Sequence, residues 1–194
     1  MARCVLCEKS GFFLSVKGGL CTDCLPQIRE EAEAATETLV QAEKAAKKAK
    51  TIDTRVSHYE RMIKVSNRFL VLQEKGVGVR LFDRDTGETN TQTSRAKLEH
   101  DRRAMDDDIV ESLEAEARDA EAKASATRSS TKKRQILERM AERVRYFKLK
   151  MLAPHQLDAL EARVSETAAV EARCGYCDQP RGPGKQCRFC GAAD

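Results

Sequence analysis

Eight cysteines fall as four C-x2-C pairs, two pairs at each end of a 194-residue chain, and they constrain its fold more than any other feature. The first set is Cys4, Cys7, Cys21 and Cys24, the second is Cys174, Cys177, Cys187 and Cys190, and no cysteine is left over. A C-x2-C turn holds two sulfurs on one side of a tetrahedral ion. A second turn, separated by 13 intervening residues in the first set and 9 in the second, completes the shell. The pattern predicts two Zn2+ ions per chain. Segments this short cannot fold on apolar burial alone, and metal binding supplies the deficit, about 10 kcal/mol or more near neutral pH. Four thiolates also leave no coordination position for water or substrate, so the ions read as staples and not as reaction centres.

Other uses of paired cysteines fit less well. A disulfide framework needs an oxidising compartment, whereas Met1-Ala2-Arg3 leads straight into Cys4 with no apolar export segment. A thioredoxin-like pair needs a C-x2-C opening a helix within a βαβ unit, and no such alternation surrounds these pairs. Four thiolates can also hold an iron-sulfur cluster, so elemental identity is a matter for measurement. No apolar run approaches the roughly 18 residues needed to cross a bilayer. A cytoplasmic protein with no membrane partner is the expectation.

Between the cysteine sets the chain reads as mainly α, an elongated, coiled-coil-like helical body. Charged residues make up 34%, aromatics 5%, and there is no Trp, a composition suited to long exposed helices. Five segments are expected: a Cys4 module over 1–25, a two-helix segment over 26–76, a hairpin or ordered loop over 77–92, a helical hairpin plus short helix over 93–172, and a C-terminal zinc ribbon over 173–194. In the first module, Gly11 to Val16 followed by Lys17-Gly18-Gly19-Leu20 reads as a β-hairpin, with Phe12, Phe13 and Leu14 as its small core. Gly191, after the last cysteine pair, suits a positive-φ turn that brings backbone N–H groups to sulfur.

Pro26 suits the first turn of a helix. From there Ile28, Ala32, Ala35, Leu39, Ala42, Ala46 and Ala49 form a heptad stripe, alanine-rich enough that its partner must bring the larger side chains. A second helix over about Asp53–Gln73 carries Val56, Tyr59, Met62, Ile63, Val65, Phe69, Leu70 and Leu72, and stops at Gly76 and Gly78. Asp83, Asp85 and Glu88 then cluster around a turn. A third helix starts near Thr93 or Ser94 and runs to about Thr127, with Leu98, Met105, Ile109, Leu113, Ala117, Ala120 and Ala124 on one side. Arg128-Ser129-Ser130 breaks it, and a fourth presents Leu137, Met140, Val144, Phe147 and Met151. Pro154 opens a shorter fifth with Leu157, Leu160 and Val164.

The formal net charge of +4 counts every cysteine as neutral. Eight thiolates and two divalent ions bring it to about zero, so any affinity for nucleic acid must come from local patterning. Residues 93–127 carry 6 basic and 10 acidic side chains, and residues 128–153 carry 9 basic and 2 acidic. The opposed blocks imply a hairpin whose charges neutralise each other. A phosphate-binding stripe is the alternative, with Arg134, Arg139, Arg145 and Lys150 on the side of helix 131–151 away from its apolar residues. His58, His100 and His155 are scattered, and no phosphate-cradling glycine loop occurs, so no enzyme is expected.

Residues Cys4 to Gly76, "CVLCEKSGFFLSVKGGLCTDCLPQI" followed by "DTRVSHYERMIKVSNRFLVLQEKG", resemble the N-terminal part of poorly characterised bacterial proteins in which a Cys4 module leads into two helices. Arg173 to Ala192 is similar to the zinc-ribbon modules appended to many bacterial and archaeal proteins. The resemblance implies architecture and no particular activity. The sequence therefore points to a non-enzymatic, zinc-binding helical adaptor that binds other proteins or self-associates through its helices, with a nucleic-acid-associated regulator as the alternative.

Overall fold

A computed structural model describes residues 2–78, 94–171, 173, 174, 176, 177, 179, 187 and 189–191; the side chains of Ser94 and Glu171 are outside the description. The fold is mainly α, with two small sheets near the N-terminus and a cysteine group toward each end. Strands β1 (Ala2–Arg3) and β2 (Ser10–Gly11) pair antiparallel, as do β3 (Val16–Lys17) and β4 (Leu20–Cys21). Helices α1 (Cys24–Lys48), α2 (Ile52–Glu74), α3 (Ser94–Ala126), α4 (Ser130–Lys148) and α5 (Asp158–Glu171) follow, with a 3-10 turn at Pro154–Leu157 before α5. Two compact units result, Met1–Met105 and Asp106–Asp194.

In the first unit, α1 and α2 form a hairpin around Ala49, Lys50 and Thr51. Thr51 caps α2 by accepting the Thr54 N–H at 3.4 Å. The alanine stripe of α1 is buried from Ile28 to Ala46, while Ala49 is the half-buried C-cap. Ala32 and Ala35 pack with Phe69 and Leu72 of α2, and Leu39 and Ala42 with Met62, so α2 supplies the bulk that the small seam lacks. Two seam positions are polar: Thr36 returns its hydroxyl to the Ala32 carbonyl at 2.8 Å, and Ser66 is fully buried. Ile63 and Leu70, expected on the apolar face of α2, are only half-buried.

The end of α2 is a Schellman motif. Gly76, with φ +86°, donates to the Gln73 carbonyl at 2.9 Å, and Val77 donates to that of Leu72 at 3.0 Å. Val77 is buried against the same cluster as Leu72. Asp83, Asp85, Glu88 and the rest of the expected hairpin beyond Gly78 lie outside the described residues.

In the second unit, Ile109, Leu113 and Ala117 of α3, Leu137, Met140, Val144 and Phe147 of α4, and Leu160 and Val164 of α5 are buried. Ala120 is only half-buried. Ser129 caps α4 by accepting the Lys132 N–H at 3.4 Å. Ion pairs fix which faces meet: Arg143 forks onto Glu116, and Arg163 bridges Glu114 and Glu121, each at 3.1 Å.

Two acids of α3 are not solvated. Asp101 is buried and takes a Lys97 ammonium at 2.8 Å; burial pushes its carboxyl above the ordinary range, with Lys97 opposing. Asp106, 4% exposed, accepts the backbone N–H groups of Leu152 (3.1 Å) and Ala153 (2.9 Å) and so pins the corner between α4 and α5.

Candidate metal centres

Cys4 and Cys7 lie on the knuckle between β1 and β2, Cys21 on β4, and Cys24 on the first turn of α1. Their four sulfurs lie within 4.8 Å of one another. Cys174, Cys177, Cys187 and Cys190, after α5, form a second such group. None is disulfide-bonded. Sulfur contacts are 3.7 Å for Cys7 and Cys21, 3.5 Å for Cys174 and Cys190, and 3.6 Å for Cys177 and Cys187. A tetrahedral ion with metal–sulfur bonds of about 2.3 Å spaces its sulfurs by about 3.8 Å, so both groups have the size of a single-ion shell.

The backbone around the two groups follows one plan. Cys4 donates its N–H to the carbonyl of Lys9 and Cys174 donates to that of Gln179, both at 2.9 Å and both five residues ahead. After Cys7, Glu8 adopts φ +61° and donates to the Cys4 carbonyl at 3.0 Å. After Cys190, Gly191 adopts φ +73° and donates to the Cys187 carbonyl at 2.9 Å. The positive φ expected at Gly191 is therefore present, but its N–H meets a carbonyl and not a sulfur. Sulfur receives other amides: Cys21 N–H reaches Cys4 Sγ at 3.4 Å, and Phe189 N–H reaches Cys187 Sγ at 3.5 Å.

These amides favour thiolates. Cys4 is lowered to about 6, first by the Cys7 amide and then by that of Cys21; Cys174 is lowered to about 6 by the amides of Tyr176 and Cys177. Cys24 moves the other way, to about 12, because Cys21 holds its proton in a hydrogen bond and burial disfavours its charge. Four negative sulfurs this close repel one another, and a divalent cation removes that penalty. Geometry and donor chemistry thus fit a thiophilic divalent ion at each group. The inorganic core of an iron-sulfur cluster would hold cysteine sulfurs further apart than one ion does.

The aromatic residues of the first module are not its core. Phe12 is 82% exposed and Phe13 fully so, while Leu14 is half-buried. The interior is already filled by Cys4, Leu20, Cys21 and Cys24, with Leu6, Leu14, Leu25 and Val77 around them. Beside the site Lys9 pairs with Asp23 at 3.2 Å, and Arg3 with Glu8 at 3.1 Å.

The four candidate phosphate contacts do not share one fate. Arg145 pairs with Glu161 of α5 at 2.8 Å, Arg134 lies 3.5 Å from Glu138, the Lys150 ammonium sits 5.3 Å from the centre of the Tyr146 ring, and Arg139 is exposed. Lys148 bridges Asp158 at 2.6 Å and Glu161 at 2.7 Å. The basic block of α4 is thus answered by α5 as well as by Glu116 of α3, a partner that adjacency in sequence did not indicate. No helix among the described residues is long and apolar enough to cross a membrane. Comparison with protein-family models, with curated proteins and with solved structures gives no match.

Proposed function

We propose that the chain is a non-enzymatic adaptor in which each four-sulfur group holds one structural Zn2+ and the helical units are held for binding other proteins. The observation that carries the reading is the pair Phe12–Phe13, presented to solvent from a zinc module whose interior is filled without them. Aromatic side chains are among the commonest anchors of protein interfaces. A loop held between two small sheets and an ion loses little freedom when it binds. The closed sulfur shell supports the non-catalytic part, because it offers no open position to a substrate. Zinc is favoured by the tetrahedral all-thiolate donor set.

Two measurements test this. Elemental analysis of protein purified without added metal is expected to give two zinc per chain; iron with visible absorbance, or no metal and four disulfides, refutes the metal assignment. Co-purification from native cells, with and without nuclease, is expected to yield protein partners that survive nuclease. Phe12→Ser with Phe13→Ser should lose them at unchanged zinc content. Loss of every partner on nuclease treatment would favour nucleic acid, a reading weakened by the engagement of Arg145 and Lys148 with Glu161.

A further inference from the structure

We propose that the metal ion of the first site latches the end of α2, so that occupancy of Cys4, Cys7, Cys21 and Cys24 controls whether Gly76–Gly78 stays docked. The proposal rests on the zinc reading above. Gly18 and Gly19 form the two-residue turn between β3 and β4, with φ +58° and +80°, the combination a tight hairpin requires. This turn is held on two sides. The Gly19 carbonyl accepts the N–H of Val5, next to ligand Cys4, at 2.8 Å, and the Gly18 carbonyl accepts the N–H of Gly78 at 2.9 Å.

The approach of the two glycine segments is close enough to exclude side chains. A Cβ on Gly19 would lie 2.6 Å from the Gly76 carbonyl oxygen, and one on Gly78 would lie 3.2 Å from Gly18 Cα. Beneath the clasp, ligands Cys4, Cys21 and Cys24 share one buried cluster with Phe69, Leu72 and Val77 of the α2 end. Ligand Cys24 is itself the first residue of α1. Ion, hairpin turn and helix end therefore form one mechanical element.

Without the ion, the cross-link among the four sulfurs is lost and the hairpin is released, because the small remaining core of the module cannot hold it. The docked state of Gly78 is then lost with it. At the second site, Cys174 donates to the Gln179 carbonyl and Gly191 to that of Cys187, both bonds lying within the site's own segment. Coupling is reciprocal, so loosening the clasp must weaken the first ion.

The test uses the full zinc-loaded chain. Absence of zinc on elemental analysis would defeat the metal reading itself, before the latch is tested. With zinc present, hydrogen exchange at the Gly78 amide is measured in Cys7→Ser, which breaks the first site, and in Cys187→Ser with Cys190→Ser, which breaks the second. Protection is expected to fall by about 100-fold in the first variant and to stay unchanged in the second. Gly78→Ala leaves the four first-site cysteines in place, and Gly78 does not occupy the left-handed region, so it perturbs the clasp alone. In the Cys187→Ser, Cys190→Ser background, competition with a chromophoric chelator should show Gly78→Ala weakening first-site zinc by about tenfold. Gly78 protection that survives loss of the first ion, or zinc affinity unchanged by Gly78→Ala, overturns the latch. The chelator measurement decides alone if Cys7→Ser does not fold.

Discussion

Asp106 offers a sharp test of how the second unit is held together. Its carboxylate is buried and accepts two backbone N–H groups, from Leu152 and Ala153, in the segment between the end of α4 and the turn at Pro154. Asp106→Ala removes both charge-assisted bonds and leaves two donors with no side-chain partner. Each such donor costs about 1–3 kcal/mol, so the loss should be about 3 kcal/mol, less if water reaches the site. A domain of this size shifts by about 4–8 °C per kcal/mol, which puts the expected drop in Tm at about 10 °C or more. Asp106→Asn keeps one acceptor oxygen and should cost about half as much. The exposed neighbour, Asp107→Ala, should stay within about 0.5 kcal/mol. Thermal melts by circular dichroism, with hydrogen exchange at the Leu152 and Ala153 amides, separate a local from a global effect. Equal melting of the Asp106→Ala and Asp107→Ala proteins would refute the argument.

Charge reversal at Arg134, Arg139, Arg145 and Lys150 should lower thermal stability, because Arg145 would then face Glu161, while DNA and RNA binding at physiological salt stays low in both forms; tight wild-type binding lost at unchanged Tm would reverse that. Lys148 and Arg145 hold the Glu161 carboxyl below its ordinary range, so its contribution is present above the unfolded value, about 4.3, and is lost as pH falls through the lower folded value. The Tm gap between wild type and Glu161→Gln should accordingly narrow as pH falls below the ordinary carboxylate range, and a gap that is constant with pH would contradict the assignment. Phe69→Ala should cost about 3–5 kcal/mol, because Phe69 is the largest side chain in the cluster shared with the first metal site; chemical denaturation measures it, and a loss below about 1 kcal/mol would show that the cluster collapses around the gap. Glu8→Gly relieves a left-handed backbone at the exposed cost of the Arg3 pair and should leave first-site zinc binding intact or slightly tighter in chelator competition.

Both four-sulfur groups were legible from the cysteines, because a tetrahedral shell fixes the local spacing of the ligands it would take whatever surrounds it. The helices were equally legible: the stripe from Ile28 to Ala46 and that from Leu137 to Met151 are buried, since periodicity reports a one-sided environment. Tertiary structure decided what periodicity cannot rank. Phe12 and Phe13 have the hydrophobicity of a core, but whether a small module has room for them depends on what else fills it, and Leu20, the cysteines and Val77 do. Asp106 is turned inward onto two amides 46 and 47 residues away, whereas its neighbour Asp107 is exposed. Arg145 found Glu161 of α5, and Gly78 found Gly18, 60 residues earlier. Local spacing encodes ligand shells and helix faces because those depend on neighbours along the chain; which buried acid, ion pair or glycine contact matters depends on neighbours in space, and only the packed structure selects them.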